Sequence, residues 1–313
     1  MMIIAAQNSD SQQRLISSSG AIFPLIARKC INADGIVYGA AFGEDYAVRH
    51  VRVTTLDELK KLYGSKYVYS DLNQSYQSCK KDLDMGKEVV FVGTPCQISG
   101  LKRFLKRPYN NLFLIDFICH GAPSQDIWKK YISEIKGKKE IAGISFRDKR
   151  DGWEKYSISI RFTDGTEYIK NHDDDLYLAA FIGNLILRKA CYNCSWKGIQ
   201  NRESDITLGD LWGAKELAPD LYDDKGTSLL FINTDKGATA FTELEQVMQW
   251  CEIDSERAIQ INSASIQPSK PSVYYEQFNA RYKNGENLLS ILKSYYQPTI
   301  IQRIKNKIYR KLR

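Results

Sequence analysis

The chain has 313 residues, 43% of them apolar, and a formal net charge of +7. That is enough apolar material for a sizeable core, yet no window approaches the roughly 18 consecutive apolar residues of a membrane span. Six of the positive charges, Arg303, Lys305, Lys307, Arg310, Lys311 and Arg313, crowd the last eleven residues without an acid, leaving +1 on the body, which argues against a broad nucleic-acid-binding face.

The start, "MMIIAAQNSDSQQR", lacks the zones of a signal peptide, so a cytoplasmic protein is expected. Along the chain, Ser18 to Asn32 reads as a capped helix, with Ile22, Leu25 and Ile26 at helical spacing and Pro24 tolerated near its start. "GIVYGAAF" follows as a buried strand, Thr55 to Tyr63 as a helix, and "YQSCKKDLDMG" as a helix stopped by Gly86. "EVVFVG" is a strand, "QISGLKRFL" a helix, "NLFLIDFI" a strand, and "PSQDIWKKYISEIKG" a helix closed by Gly137. This alternation predicts an α/β fold with a mixed, largely parallel sheet.

After Lys138 the pattern becomes α+β: "AGISFRD", "YSISIRFTDGTEYIKN" and "SDITLGDLWG" read as strands, with Asp164-Gly165 as a hairpin turn. From Gly237 onward "GATAFTELEQVMQW" and "NLLSILKSYY" read as helices. The expected division is a domain over residues 1–236 and a helical C-terminal region over 237–313.

In a reducing compartment each of the seven cysteines is a small hydrophobe, a reactive thiol or a metal ligand. Cys30, Cys79 and Cys251 sit in helical patterns without a second cysteine or histidine at ligand spacing, and read as packed thiols. Cys96 and Cys119 each follow a hydrophobic strand and precede a helix, which places both at the ligand-binding edge of a parallel sheet. Cys191 and Cys194 form a C-x-x-C in "CYNCSW". On its own this pair fits a redox dithiol, half a zinc site or half an iron–sulfur site. With Cys96 and Cys119 the ligand count is that of a four-cysteine zinc site or a 4Fe-4S cluster, and the scattered single cysteines favour the larger cluster.

Eight blocks in order, "SSSGAIFPL", "YGAAF", "LYGSKYVYSDL", "VGTPCQISGLKRFL", "IDFICHGAPS", "ISFRDKRDGW", "CYNCSWK" and "SDITLGDLWG", resemble the coenzyme F420 hydrogenase/dehydrogenase beta-subunit family, from about Asn8 to about Thr234. The resemblance implies an iron–sulfur flavoprotein that passes electrons between a 4Fe-4S cluster, FAD and a hydride-carrying small molecule, coenzyme F420 in archaeal members. It implies Cys96, Cys119, Cys191 and Cys194 as cluster ligands.

No G-x-G-x-x-G follows a strand, so a Rossmann site is not indicated. Ser18, Ser19 and Gly20 at a helix start could instead hold a pyrophosphate, although the same residues make an ordinary helix cap. Lys66 and Tyr67 in "GSKY", and Gly93 and Thr94 beside Cys96, complete the expected cofactor contacts. His120 could donate to a cluster sulfur or relay a proton, or simply cap a turn. Arg147, Lys149 and Arg150 could hold an anionic substrate, with a solvated basic loop as the plainer account.

Two departures from the family pattern stand out. No ferredoxin-like stretch precedes Asn8, so electrons are expected from a separate ferredoxin-like or flavodoxin-like partner or from a reduced substrate. Ala21 stands where the family often has another glycine. The tail places Ile301, Ile304, Ile308 and Leu312 on one helical face amid basic residues, which suits a membrane surface, the protein's own body or a partner. Resemblance to bacterial relatives suggests surface-polysaccharide assembly at the inner membrane face. The rival class is a non-catalytic module whose four cysteines hold a structural metal.

Overall fold

The computed structural model describes residues 1–296, so the basic amphipathic tail lies outside the described residues. Eleven strands are present among them: β1 (Met2–Asn8), β2 (Ile36–Phe42), β3 (Val48–Val53), β4 (Val89–Val92), β5 (Leu112–Phe117), β6 (Ile141–Asp148), β7 (Ser157–Phe162), β8 (Glu167–Asn171), β9 (Ile206–Asp210), β10 (Ser228–Ile232) and β11 (Met248–Glu252). Eight form one mixed sheet in the order β11-β1-β10-β9-β5-β4-β2-β3, and β6, β7 and β8 form a separate antiparallel sheet. The four central strands β2, β4, β5 and β9 run parallel, while β3 on one side and β10, β1 and β11 on the other pair antiparallel. A parallel core thus carries antiparallel flanks.

The central strands are apolar on consecutive residues because both faces are covered. Val37, Ala41, Val90, Ile115 and Leu230 pack under the helix Ile22–Asn32 and its neighbours on one face. Tyr38, Val89, Phe91 and Leu114 pack on the other against Cys79, Leu83, Ile98 and Leu101 of the helices Ser75–Asp84 and Pro95–Leu105. A third core joins the small sheet to the helices Gln125–Lys136, Leu176–Ile182 and Leu288–Tyr296 around Trp128, Tyr131, Phe146 and Tyr177. Among the described residues no helix is long and apolar enough to cross a membrane.

Several local expectations change. β1, β3 and β10 add strands not expected from the sequence, and "VMQWCE" is edge strand β11, not helix: the helix Asp235–Thr242 ends early and Met248–Glu252 pairs with β1. Cys251 therefore lies in a strand. A short helix, Ser11–Leu15, follows β1; the helix expected from Ser18 begins only at Ile22, and Ser18, Ser19 and Gly20 form a turn ahead of it. Ala21 takes the left-handed conformation at φ 59° to enter the helix.

Candidate functional site

All four parallel strands end on one edge of the sheet, and the sequence-selected residues fall on that edge in two groups.

The first group gathers beyond β4 and β5. Thr94 caps the helix Pro95–Leu105, its N–H donating to Gln97 Oε1 at 3.0 Å, which sets Cys96 in the first helical turn. Cys96 Sγ lies 3.0 Å from Thr94 Oγ1. The preceding Gly93 ties the strand end to β5 by donating to the Ile115 carbonyl at 3.1 Å. Beneath this turn, Gln97 Nε2 donates to Ser70 Oγ at 3.0 Å, Ser70 pairs with His50 Nδ1 at 2.9 Å, and His50 Nε2 meets the Val92 carbonyl at 2.8 Å. A carbonyl only accepts, so His50 carries its proton on Nε2. Burial pushes its pKa down to about 4.

Cys119 follows β5 by two residues. Gly121 then lets a second segment close in: a Cβ there would stand 2.7 Å from Leu187 Cδ1 and 3.3 Å from Cys191 Cβ. The bridge between Pro123 and Leu187, with Arg188 N–H on the Ala122 carbonyl at 3.0 Å, holds the Lys189–Asn193 turn against this loop. That turn carries Cys191, and Cys194 ends it. The four thiols, from three segments, lie within electrostatic range of one another: Cys119 feels Cys96 and Cys191, and Cys191 feels Cys96 and Cys194. Burial pushes the Cys119 thiol up to about 12, with Lys197 opposing. Among the described residues no three His, Cys, Asp or Glu side chains are placed to hold a single ion.

Lys197, which the sequence did not single out, is buried behind them. Its ammonium donates to the Cys119 carbonyl and, at 2.7 Å, to the Ala264 carbonyl. The loop 262–272 closes over this corner, with Ser269 Oγ donating to the His120 carbonyl at 2.5 Å. His120 Nε2 is buried without a partner, and burial lowers its pKa, keeping the ring neutral.

The second group lies beyond β1, β9 and β10. Ser65 donates to Ser18 Oγ at 2.7 Å, so the "SSSG" and "GSKY" segments meet. Ser19 Oγ donates to the Thr227 carbonyl at 2.8 Å, and Gly20 N–H donates to Ser228 Oγ at 3.0 Å. Gly20 is needed because a Cβ would lie 2.5 Å from the Ala6 carbonyl oxygen. Lys66 turns its ammonium to the Lys61 and Tyr63 carbonyls at 3.0 and 2.9 Å, and desolvation pushes it down to about 7.

The third wall is β6. A register shift between Ser145 and Asp148 turns Phe146 and Arg147 inward in succession. Arg147 donates to Asp210 Oδ2 at 2.9 Å and to Tyr67 Oη at 3.2 Å, and lies over the Tyr156 ring at 3.9 Å. Its Nε and Nη2, and Trp153 Nε1, are buried without partners. Burial works against its charge, and the Asp210 carboxylate together with the Tyr67 and Tyr156 hydroxyls more than offsets that. Lys149 is buried too, donating to the Arg14, Ser19 and Lys225 carbonyls at 2.8, 3.4 and 2.7 Å. Only Arg150 is exposed, bound to Asp148 and Glu167. The solvated-loop account thus fails for two of the three.

Aromatic rings connect the groups. Tyr67 stacks on Phe181 at 4.7 Å, and Phe181 meets His120, next to Cys119, edge-on at 5.0 Å. The three remaining cysteines stand apart: Cys79 is fully buried, Cys30 points at the Ile36 and Glu88 carbonyls, and Cys251 lies on the sheet edge.

No curated protein matches the chain. Among solved structures, a chain of the xenon-derivatised F420-reducing [NiFe] hydrogenase complex from Methanosarcina barkeri superposes with a TM-score of 0.60 at 15% identity, covering 92% of this chain and 94% of that one. At that identity the likeness shows the fold. The family model for the C terminus of the coenzyme F420 hydrogenase/dehydrogenase beta subunit matches residues 86–256, more than half of the chain and the span holding all four gathered cysteines. The chain belongs to this coenzyme F420 hydrogenase/dehydrogenase beta-subunit family.

Proposed function

We propose that the protein is an iron–sulfur flavin-dependent oxidoreductase, with Cys96, Cys119, Cys191 and Cys194 holding a 4Fe-4S cluster and FAD bound along the adjoining edge. The observation that carries the reading is the gathering of four thiols, out of seven in the chain, from three segments at one sheet edge. A four-cysteine zinc site shares this ligand count, and membership of the beta-subunit family is what favours the iron–sulfur cluster.

For the flavin, the fitting features are the unpaired N–H groups of Arg147 and Trp153 among the rings of Tyr67, Tyr156 and Trp212. Such a wall can donate to the polar edge of a planar ring while its aromatic faces exclude water. The bound pair would supply one-electron transfer on one side and hydride chemistry on the other. The chain's own part is to hold both on rigid strand ends, with Phe181 and Tyr67 packed between. Ser18, Ser19, Gly20 and Lys66 are proposed to meet the flavin's phosphates, and Gly93 and Thr94 to shape the turn at Cys96. The substrate would be coenzyme F420 or another small hydride carrier, and the electron partner a separate ferredoxin-like or flavodoxin-like protein.

Anaerobic purification followed by iron, sulfide and flavin analysis tests this directly. The expected result is about four irons and four sulfides per chain with a flavin spectrum. Zinc without flavin would support the structural-metal module instead.

A further inference from the structure

We propose that Lys197 is a positioning residue of the four-cysteine site whose fixed positive charge sets the reduction potential of the iron–sulfur centre. The inference rests on the iron–sulfur reading above. Lys197 is 8% exposed, and its ammonium donates to the carbonyls of Cys119 and Ala264. Among the described residues no carboxylate forms an ion pair with it; the nearby Arg202, itself a cation, is paired with Asp116 at 3.3 Å. Burying a cation without an anion is costly. Burial pushes the Lys197 pKa down, and the groups that oppose this and favour its charge are the thiols of Cys119, Cys194 and Cys191.

The position follows from the chain. Lys197 stands three residues after Cys194, and the Gly198 N–H donates to the Ser265 carbonyl at 3.0 Å, which turns the segment under the loop 262–272. Two of the ammonium's three N–H bonds are taken by carbonyls, leaving one for a neighbouring sulfur. Four thiolates make such a centre anionic, and each electron accepted adds one more negative charge while no bond forms or breaks. A fixed cation in a water-poor corner favours the reduced form, and so raises the potential.

The test is a potentiometric titration of the anaerobic full-length protein with dithionite and mediators, followed by electron paramagnetic resonance. It compares the wild type with Lys197→Met, Lys197→Gln and Lys197→Arg. Met keeps the stem, Gln keeps a donor for the carbonyls, and Arg keeps the charge. Met and Gln are expected to shift the reduction equilibrium about tenfold toward the oxidised form, a drop of about 59 mV for one electron, with Arg staying close to the wild type. Unchanged midpoints in Met and Gln would overturn the inference and leave Lys197 a structural tie. Loss of iron from Met and Gln but not Arg would also support the requirement for charge; loss from all three would overturn it in favour of packing. A wild-type protein without iron would sink the iron–sulfur reading and this inference together, an outcome the metal analysis separates from the others.

Discussion

Beyond β4 and β5 the thiols make few bonds to the rest of the chain, whereas beyond β1, β9 and β10 most polar groups are already spent on the protein itself. Ser19, Gly20, Lys66 and Lys149 all donate to groups of the chain, and Ser18 accepts from Ser65. The thiols have no comparable ties: Cys96 is 3.0 Å from one hydroxyl, and Cys191 reaches the Ala122 carbonyl only at 4.0 Å. The sequence presents both sets as ligand motifs of similar standing. The folded chain separates a corner whose donors are held in reserve from a wall whose polar atoms build the scaffold, with Arg147 and Trp153 as its unspent donors.

The largest expected effect breaks or upholds that contrast at the cysteine corner. Replacing Cys96, Cys119, Cys191 or Cys194 singly by alanine should abolish iron and sulfide binding, because an all-cysteine cluster offers no spare ligand. The same change at Cys30, Cys79 or Cys251 should leave iron at the wild-type level. Elemental analysis of the seven variants decides it: one member of the first set with full iron, or one of the second without it, ends the division of four from three.

A middle-sized effect tests the scaffold wall. Lys149→Met leaves three buried carbonyls without their cationic donor, and should cost about 2–4 kcal/mol of unfolding free energy in denaturant titrations. The same residue predicts a pH dependence. Burial, with Arg147 nearby, pushes the Lys149 ammonium down to about 7 from its ordinary 10.5. Between those values the unfolded chain holds a proton that the folded chain has released, so stability rises with pH across this window. In Lys149→Met that rise should shrink by up to one proton's worth, with Lys66 contributing a rise of the same sign and the buried thiols of Cys30, Cys79 and Cys119 opposing it above about pH 9. An unaltered slope would show that Lys149 keeps its proton in the fold.

The parallel core was legible because strands buried on both faces leave unbroken apolar runs, as in "VVFV" and "LFLI". β11 was not: as an edge strand it exposes Gln249 and Trp250 together, and its pairing with β1 joins residues far apart in sequence. Cys96 and Cys119 were legible as strand-end residues, and the C-x-x-C by its spacing. Arg147 was legible as a charge, but its burial was not, because alternation locates buried side chains only in regular strands and the bulge at Ser145–Asp148 puts two neighbours inside. Lys197 left no pattern at all, since its burial depends on the loop 262–272 folding over it. The "SSSG" turn is the converse case. Its residues were legible, but the contacts with β10 that occupy them were not.

The smallest effect sharpens the contrast at Ala21. This residue holds φ 59°, a left-handed conformation that costs an L-residue about 1–2 kcal/mol. Ala21→Gly relieves that strain. Against the gain stand the extra freedom of glycine in the unfolded chain, about 0.5–1 kcal/mol, and the loss of a buried methyl, about 0.8 kcal/mol. The terms nearly cancel, so the variant should unfold within about 0.5 kcal/mol of the wild type. Ala27, fully buried in the same helix, has no strain to relieve, and Ala27→Gly should cost about 1–2 kcal/mol. The gap between two chemically identical substitutions measures the strain stored at the exit of the serine turn. If both variants lose the same stability, the turn is unstrained, and the contacts of Ser18 with Ser65 and of Ser19 and Gly20 at the start of β10 set its shape alone.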